Sequence, residues 1–145
     1  MLALLEALIG DADKDLYHLD TYTDKSKAFY YRMQGDYYGY LAEVATDEDE
    51  KQLTVENAKE AYEKAVFCSK RIKATDPFRL SLALNYSVFS YEIVHDHGTA
   101  IRAAKAAFDN AIAELDTIAD DERKYKATTA IMQMLRDKLT LWTEN

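Results

Sequence analysis

The sequence predicts an all-α protein, built as an antiparallel helical array. Only 4 glycines and 1 proline occur among its 145 residues, whereas all-β folds need frequent turn residues. Alanine, leucine, glutamate and lysine are abundant, which favours helices. Apolar residues recur at steps of three and four along most of the chain, the period of one helix face. This length fits a single domain, which we place at residues 1–145.

The first third of the chain predicts a short apolar helix and a longer amphipathic one. "MLALLEALIG" has a helical pattern that ends at Gly10, a common C-cap residue. The polar stretch "DADKDLYHLDTYTDK" predicts a connection. A second helix is predicted over about residues 26–45, with one apolar stripe of Tyr30, Met33, Tyr37, Leu41 and Val44.

Four further helices follow. The third begins in "TDEDE", where acidic residues complement the helix dipole. Asp76 and Pro77 open the fourth, which runs to about residue 94 and is apolar on two faces. A boundary is predicted at Gly98 and Thr99, and "DTIADDERKYK" is the last connection. The third helix has a stripe of Val55, Ala58, Tyr62, Ala65, Val66 and Ile72; the fifth has Ile101, Ala104, Phe108, Ala111, Ile112 and Leu115; the sixth has Ile131, Met134, Leu135, Leu139 and Trp142.

Charge and cysteine content narrow the class of protein. Lys+Arg is 18 and Asp+Glu is 26, a formal net charge of -8, which opposes binding to nucleic acid or anionic membranes. The single cysteine, Cys68, cannot form an intramolecular disulfide and fits a reducing compartment. No apolar stretch approaches the ~20 residues of a membrane span, and the N-terminus does not resemble a signal peptide.

Signatures of catalysis and metal binding are absent from the sequence. No phosphate loop, nucleophile elbow or HExxH motif occurs. The "HDH" at residues 95–97 is interpreted as solvated residues at a helix end rather than metal ligands. We therefore predict no catalytic residue, no metal and no cofactor.

Three predicted helices mix polar hydrogen-bonding residues with apolar ones. On the second helix, Arg32, Asp36, Gly39 and Tyr40 share one face, and on the fourth helix Ser81, Asn85, Val88 and Glu92 share one face. Ile131, Met134, Lys138, Leu141 and Trp142 form a stripe on the sixth that looks exposed. These edges fit an amphipathic groove for an extended peptide, and they also fit ordinary packing with solvated edges.

Four stretches in order resemble the 14-3-3 family. They are "SKAFYYRMQGDYYGYLAEVA", "RLSLALNYSVFSYEI", "AAFDNAIAELDTI" and "IMQMLRDKLTLWTEN", and the resemblance covers about residues 26–145. It implies the last five-plus of nine antiparallel helices, with the first three helices and part of the fourth lacking. It also implies a cytoplasmic, non-catalytic adaptor that binds phosphoserine or phosphothreonine segments in a concave groove. Because the family's dimer interface lies in the lacking helices, we expect no dimer of the usual kind.

The resemblance also implies roles for particular residues. Tyr40 matches a phosphate-contacting tyrosine, Asn85 the asparagine that holds the ligand backbone, Glu92 a groove glutamate and Arg32 a basic groove position. Leu84, Val88, Ile131, Met134, Leu141 and Trp142 match the apolar and aromatic wall. Two positions depart from the pattern: Gly39 replaces the arginine that grips the phosphate, and Lys138 replaces an asparagine.

Two functional hypotheses follow. The first is an adaptor for phosphorylated client proteins whose phosphate grip is weakened at Gly39. The alternative is a degenerate helical scaffold that binds unphosphorylated or acidic partners, or pairs with a full-length relative, another 14-3-3 chain. Under the alternative, Arg32 and Lys138 supply a displaced positive charge.

Overall fold

The computed structural model of the protein describes residues 23–144. Five α-helices occur in this range: α1 (Asp24–Val44), α2 (Glu48–Ser69), α3 (Pro77–Glu92), α4 (His97–Glu114) and α5 (Glu122–Thr143), with a short 3-10 helix at Leu115–Ile118. No strand occurs between residues 23 and 144, which confirms the all-α prediction. The predicted helix "MLALLEALIG" and the connection after it, up to residue 22, lie outside the described residues.

The chain divides into two compact units, Met1–Ile72 and Lys73–Asn145. The first unit holds α1 and α2, and the second holds α3, α4, the 3-10 helix and α5. In the first unit, Thr23 caps α1 by accepting a hydrogen bond from the Ser26 backbone amide at 3.1 Å. Three residues join α1 to α2, so the two helices are antiparallel neighbours.

Small residues and tyrosines make up most of the buried positions of α1 and α2. These positions are Ala28, Tyr31, Gly35, Tyr38, Gly39 and Ala42 on α1 and Ala58, Ala61, Tyr62, Ala65 and Ser69 on α2. The two helices are in close contact at Gly35, where an added Cβ would lie 2.9 Å from Cγ and Cδ1 of Tyr62. Gly35 is therefore the glycine of "RMQGDYYGYLAEVA" that helix packing requires.

The stripe predicted for α1 is not its buried face. Val44 is 55% exposed and Met33 37% exposed, while Tyr30, Tyr37 and Leu41 are only half-buried. The alanines and glycines permit a close helix–helix approach, and the larger apolar residues remain beside or outside the contact. The stripe predicted for α2 agrees better with the buried face of that helix, since Ala58, Tyr62 and Ala65 are buried.

The second unit has a continuous core between its three helices. Fully buried members include Leu80, Ala104 and Leu135. A buried hydrogen bond from Thr128 Oγ1 on α5 to the Thr75 carbonyl, 2.6 Å long, ties α5 to the segment before α3. The buried core comprises Leu80, Ala100, Ala104, Ala111, Met132, Leu135 and Trp142, with Leu84, Val88, Tyr91, Ile101, Ala107, Phe108, Leu115, Ile131 and Leu139 packed against it.

Capping aspartates mark the helix starts in the second unit. Asp76 accepts from the Phe78 amide at 2.8 Å and Pro77 opens α3, as predicted. Asp96 caps α4 by accepting from the Thr99 amide at 3.1 Å, so α4 begins at His97, before the predicted boundary. Asp121 caps α5. The predicted last connection is thus partly wrong, because it contains the end of the 3-10 helix and the first turn of α5.

In the second unit, two predicted core positions are exposed. Ile112 on α4 is 52% exposed and Met134 on α5 is 54% exposed. Each is one residue from a fully buried one, Ala111 and Leu135 respectively. Consecutive helix residues point about 100° apart, so each of these side chains lies at the solvent edge of its stripe.

Candidate ligand-binding faces

Arg32, Asp36 and Tyr40 lie at four-residue intervals along one side of α1, each step a rise of about 6 Å. Tyr40 is 61% exposed, while the Arg32 and Asp36 side chains are 26% and 42% exposed. Arg32 Nε lies 3.5 Å from Asp36 Oδ2. The Arg32 guanidinium is therefore paired with the Asp36 carboxylate on the same side of α1.

Tyr62 of α2 also contacts this stripe. Its hydroxyl donates a short hydrogen bond to Asp36 Oδ1, and its side chain is buried, at 4% exposure. Burial, reinforced by the hydrogen bond to Asp36, raises the pKa of the Tyr62 hydroxyl far above its ordinary value. Tyr62 is therefore a neutral donor at physiological pH.

Gly39 does not share the exposed side of α1 with Tyr40. It is buried, and it faces away from Tyr40 because consecutive residues of a helix point about 100° apart. Seven residues separate it from Arg32, an angle of only about 20° around the helix. Gly39 thus lies at the edge of the buried face, on the side of Arg32.

Exposed apolar residues extend the Tyr40 side along α1. Phe29, Met33 and Val44 are 51%, 37% and 55% exposed. Phe29 belongs to no stripe predicted from the sequence. Its spacing of four residues from Met33 and eleven from Tyr40 is nevertheless that of one side of a helix, and this signal would have identified it.

The candidate residues of α3 differ in exposure. Glu92 is exposed and Asn85 is half-buried. Leu84 and Val88 are half-buried and pack against the core of the second unit. Ser81 donates to the Phe78 carbonyl at 2.9 Å. Much of the surface of Leu84 and Val88 is therefore in contact with the core.

The stripe predicted on α5 divides into exposed and packed members. Leu141 and Met134 are 61% and 54% exposed, and Lys138 is half-buried. Ile131 packs against the core. Trp142 contradicts the expected exposure, because it is buried at 8% exposure within that core.

A stack of aromatic rings explains the burial of Trp142. The Trp142 and Tyr91 ring centroids are 4.6 Å apart at an interplanar angle of 7°. His97 stacks on Tyr91 at 4.0 Å and 12°. Two rings cannot lie side by side on one face of Tyr91 at these distances, so Tyr91 is sandwiched between them. The stack joins the end of α3, the start of α4 and the end of α5.

The described residues give no sign of a metal site. Between residues 23 and 144, no group of three or more His, Cys, Asp or Glu side chains is arranged to hold a metal ion. His97 stacks on Tyr91, and Asp96 caps α4.

Over residues 23–144, no helix combines the length and apolarity needed to cross a membrane.

The comparisons with known proteins identify the family. A family model described as "14-3-3 protein" matches residues 3–143. The chain belongs to the 14-3-3 protein family. It is 52% identical over 147 residues to 14-3-3 protein beta/alpha-1 of Oncorhynchus mykiss, an alignment that covers 96% of this chain and 59% of the relative.

Other 14-3-3 relatives give a similar result. 14-3-3 protein homolog 1 of Schistosoma mansoni is 54% identical over 122 residues, covering 84% of this chain and 47% of the relative. 14-3-3 protein theta of Mus musculus is 55% identical over 122 residues, covering 83% and 49%. The chain therefore spans about half to three-fifths of the length of these relatives.

The candidate residues of this 14-3-3 chain are distributed over both units. Arg32 and Tyr40 belong to the first unit. The second unit contains the other eight, namely Leu84, Asn85, Val88, Glu92, Ile131, Met134, Leu141 and Trp142. Among the large apolar and aromatic candidates, the most exposed are Tyr40 in the first unit and Met134 and Leu141 in the second. Leu84, Val88, Ile131 and Trp142 are largely committed to packing.

Proposed function

We propose that the chain is a non-catalytic adaptor that binds protein segments containing phosphoserine or phosphothreonine. Membership of the 14-3-3 family supports the adaptor role in general terms. The observation that carries the proposal is Tyr40, the residue that resemblance assigns to the phosphate, whose aromatic side chain is 61% exposed on α1. Its hydroxyl offers a hydrogen bond to a phosphate oxygen.

Resemblance to the family assigns further contacts to residues of the second unit. Asn85 holds the backbone of the bound segment through its amide, and Glu92 contributes a further polar contact. Met134 and Leu141, both more than half exposed, contact apolar side chains of the segment. Leu84, Val88, Ile131 and Trp142 present only their uncovered edges, since they pack into the core.

The phosphate grip is weak in this proposal because Gly39 carries no side chain. A tyrosine hydroxyl donates one neutral hydrogen bond and leaves a phosphate dianion unneutralised. A bidentate arginine–phosphate contact is charge-assisted and contributes roughly 1.5–3 kcal/mol. Its absence lowers the affinity for a phosphorylated segment by about one to two powers of ten.

The proposal extends to partners and compartment. The clients are phosphorylated proteins of the cytoplasm, where a lone cysteine such as Cys68 remains reduced. Another 14-3-3 chain is a second kind of partner. The net charge of -8 disfavours nucleic acid and anionic membrane surfaces.

Calorimetric titration with a phosphoserine peptide and its unphosphorylated twin tests the proposal. The wild type should bind the phosphorylated peptide more tightly. Tyr40→Phe removes one hydrogen bond of about 0.5–1.5 kcal/mol, so the phosphopeptide Kd should rise about two- to tenfold while the plain peptide is unaffected. Tyr125→Phe, on a tyrosine of α5 that is 38% exposed, is the matched control and should change neither Kd.

Equal affinity of the wild type for the two peptides would overturn the proposal. That result, with measurable binding of both peptides, supports the alternative of a scaffold for unphosphorylated segments. The exposed apolar side chains of Phe29, Met33 and Val44 on α1 would then provide the contact surface.

A further inference from the structure

Three side chains form a chain of contacts across the α1–α2 pair. Tyr62 on α2 donates a hydrogen bond to Oδ1 of Asp36 on α1. The other carboxylate oxygen, Oδ2, lies 3.5 Å from Nε of Arg32. One end of the chain is buried, at 4% exposure for Tyr62, and the other lies on the side of α1 that carries Tyr40.

We infer that Tyr62 is a positioning residue for Arg32, acting through the carboxylate of Asp36. An arginine side chain has many rotamers, and a single exposed ion pair restricts them little. Here the carboxylate is itself fixed by a donor from the neighbouring helix. The part of the inference that concerns ligand binding rests on the proposed function.

Gly35 restricts the position of the Tyr62 ring. The Tyr62 ring packs so closely on Gly35 that an added Cβ would lie 2.9 Å from ring atoms Cγ and Cδ1. The ring is therefore confined at its root by Gly35 and at its hydroxyl by Asp36. The high pKa of Tyr62 keeps the hydroxyl protonated, so it remains a donor.

Asp36 occupies a sensitive position for a phosphate-binding face. It lies one helical turn, about 6 Å, from both Arg32 and Tyr40. A carboxylate that could turn toward Tyr40 would repel a phosphate bound there. The Tyr62 hydrogen bond holds the carboxylate on the α2 side and disperses its charge. Tyr62 thus both orients the cation and limits the repulsion.

A double-mutant cycle between Tyr62→Phe and Arg32→Gln tests the positioning role. In the Arg32 background, Tyr62→Phe should raise the phosphopeptide Kd about three- to tenfold. In the Arg32→Gln background the same change should have less than a twofold effect. Tyr37→Phe, which removes a hydroxyl from α1, is the matched control and should leave the Kd within twofold.

A second measurement needs no ligand. The ¹⁵N NMR signal of the Arg32 Nε–H should shift and exchange faster with water in Tyr62→Phe, and should stay unchanged in Tyr37→Phe. Asp36→Asn keeps an acceptor for Tyr62 but removes the charge that holds Arg32. It should therefore alter the Arg32 signal in the same direction, even if Tyr62→Phe does not fold.

The outcomes separate the inference from the proposed function. An equal loss of affinity in both arginine backgrounds, or an unchanged Arg32 signal in a folded Tyr62→Phe or Asp36→Asn protein, would overturn the positioning role. Equal binding of phosphorylated and plain peptide by the wild type would overturn the proposed function alone. The NMR result would then still decide whether Tyr62 positions Arg32.

Discussion

Replacing Gly35 by alanine should destabilise the protein, although alanine is the better helix former. The new Cβ would lie 2.9 Å from Cγ and Cδ1 of the Tyr62 ring and 3.0 Å from Cε1. Carbon atoms pack favourably at about 3.5–4.0 Å, so the ring and the methyl group must separate by roughly 0.6 Å or more. The ring cannot swing aside at its root, and moving its tip disturbs the hydrogen bond to Asp36.

Two opposing terms set the magnitude. Overpacking a closely packed contact costs about 1–3 kcal/mol. The higher helix propensity of alanine returns about 1 kcal/mol. We therefore expect Gly35→Ala to lower the free energy of unfolding by up to about 2 kcal/mol.

Urea denaturation followed by circular dichroism measures this change. Gly98→Ala is the matched control, because the atom nearest to its Cβ would be Nη1 of Arg102, the far end of a flexible exposed side chain, at 3.1 Å. That variant should be neutral or more stable by up to about 1 kcal/mol. With Tyr62→Ala already present, Gly35→Ala should become stabilising. A Gly35→Ala protein that gains as much stability as Gly98→Ala would refute the close-contact reasoning.

Two further perturbations test the hydrogen bonds of each unit. Because folding raises the pKa of Tyr62, the protonated hydroxyl stabilises the folded state fully below the unfolded-state pKa of about 10, and this stabilisation is lost as the pH rises above that value. Relative to Tyr62→Phe, the wild type should lose about 1.4 kcal/mol of unfolding free energy by pH 11. Parallel pH profiles of the two proteins would contradict this expectation. Thr128→Val leaves the buried Thr75 carbonyl without the hydroxyl that donates to it at 2.6 Å, and it should lower the free energy of unfolding in urea by about 1–3 kcal/mol. Thr140→Val, at an exposed threonine, should change that free energy by no more than about 0.5 kcal/mol. Equal effects of the two substitutions would show that the hydrogen bond adds no stability.

The helices were predictable from the sequence because their signals are local. Scarce glycine and proline, the apolar periodicity and the Asp76–Pro77 start all act within one or two turns. The buried face of α1 was not predictable in the same way. Hydrophobicity favoured Met33 and Val44, whereas close helix packing selected Gly35 and other small residues. Size complementarity with α2 cannot be recognised from the periodicity of α1 alone.

Several features of the candidate faces depend on distant residues. Trp142 stacks on Tyr91, 51 positions away, and this contact explains why it is buried rather than exposed. Tyr62 contacts Asp36 across 26 positions. Neither pairing has a local sequence signal. By contrast, the exposure of Tyr40 and Leu141 agrees with their place on polar or mixed helix edges. Family resemblance supplied their proposed roles, which periodicity could not.

The central claim is that this chain binds phosphorylated segments with an affinity limited by missing positive charge at Gly39. The most direct test is calorimetric titration of Gly39→Arg with a phosphoserine peptide and its unphosphorylated twin. Gly98→Arg adds the same charge at an exposed glycine and is the control. Because Gly39 is buried, thermal unfolding of each variant must first establish that it is folded.

We predict that Gly39→Arg tightens phosphopeptide binding by roughly tenfold or more, since it adds a charge-assisted contact. The salt dependence should steepen, and the plain peptide should gain little. Gly98→Arg should leave both affinities within about twofold. A folded Gly39→Arg protein whose ratio of plain to phosphorylated Kd equals that of the wild type would contradict the claim.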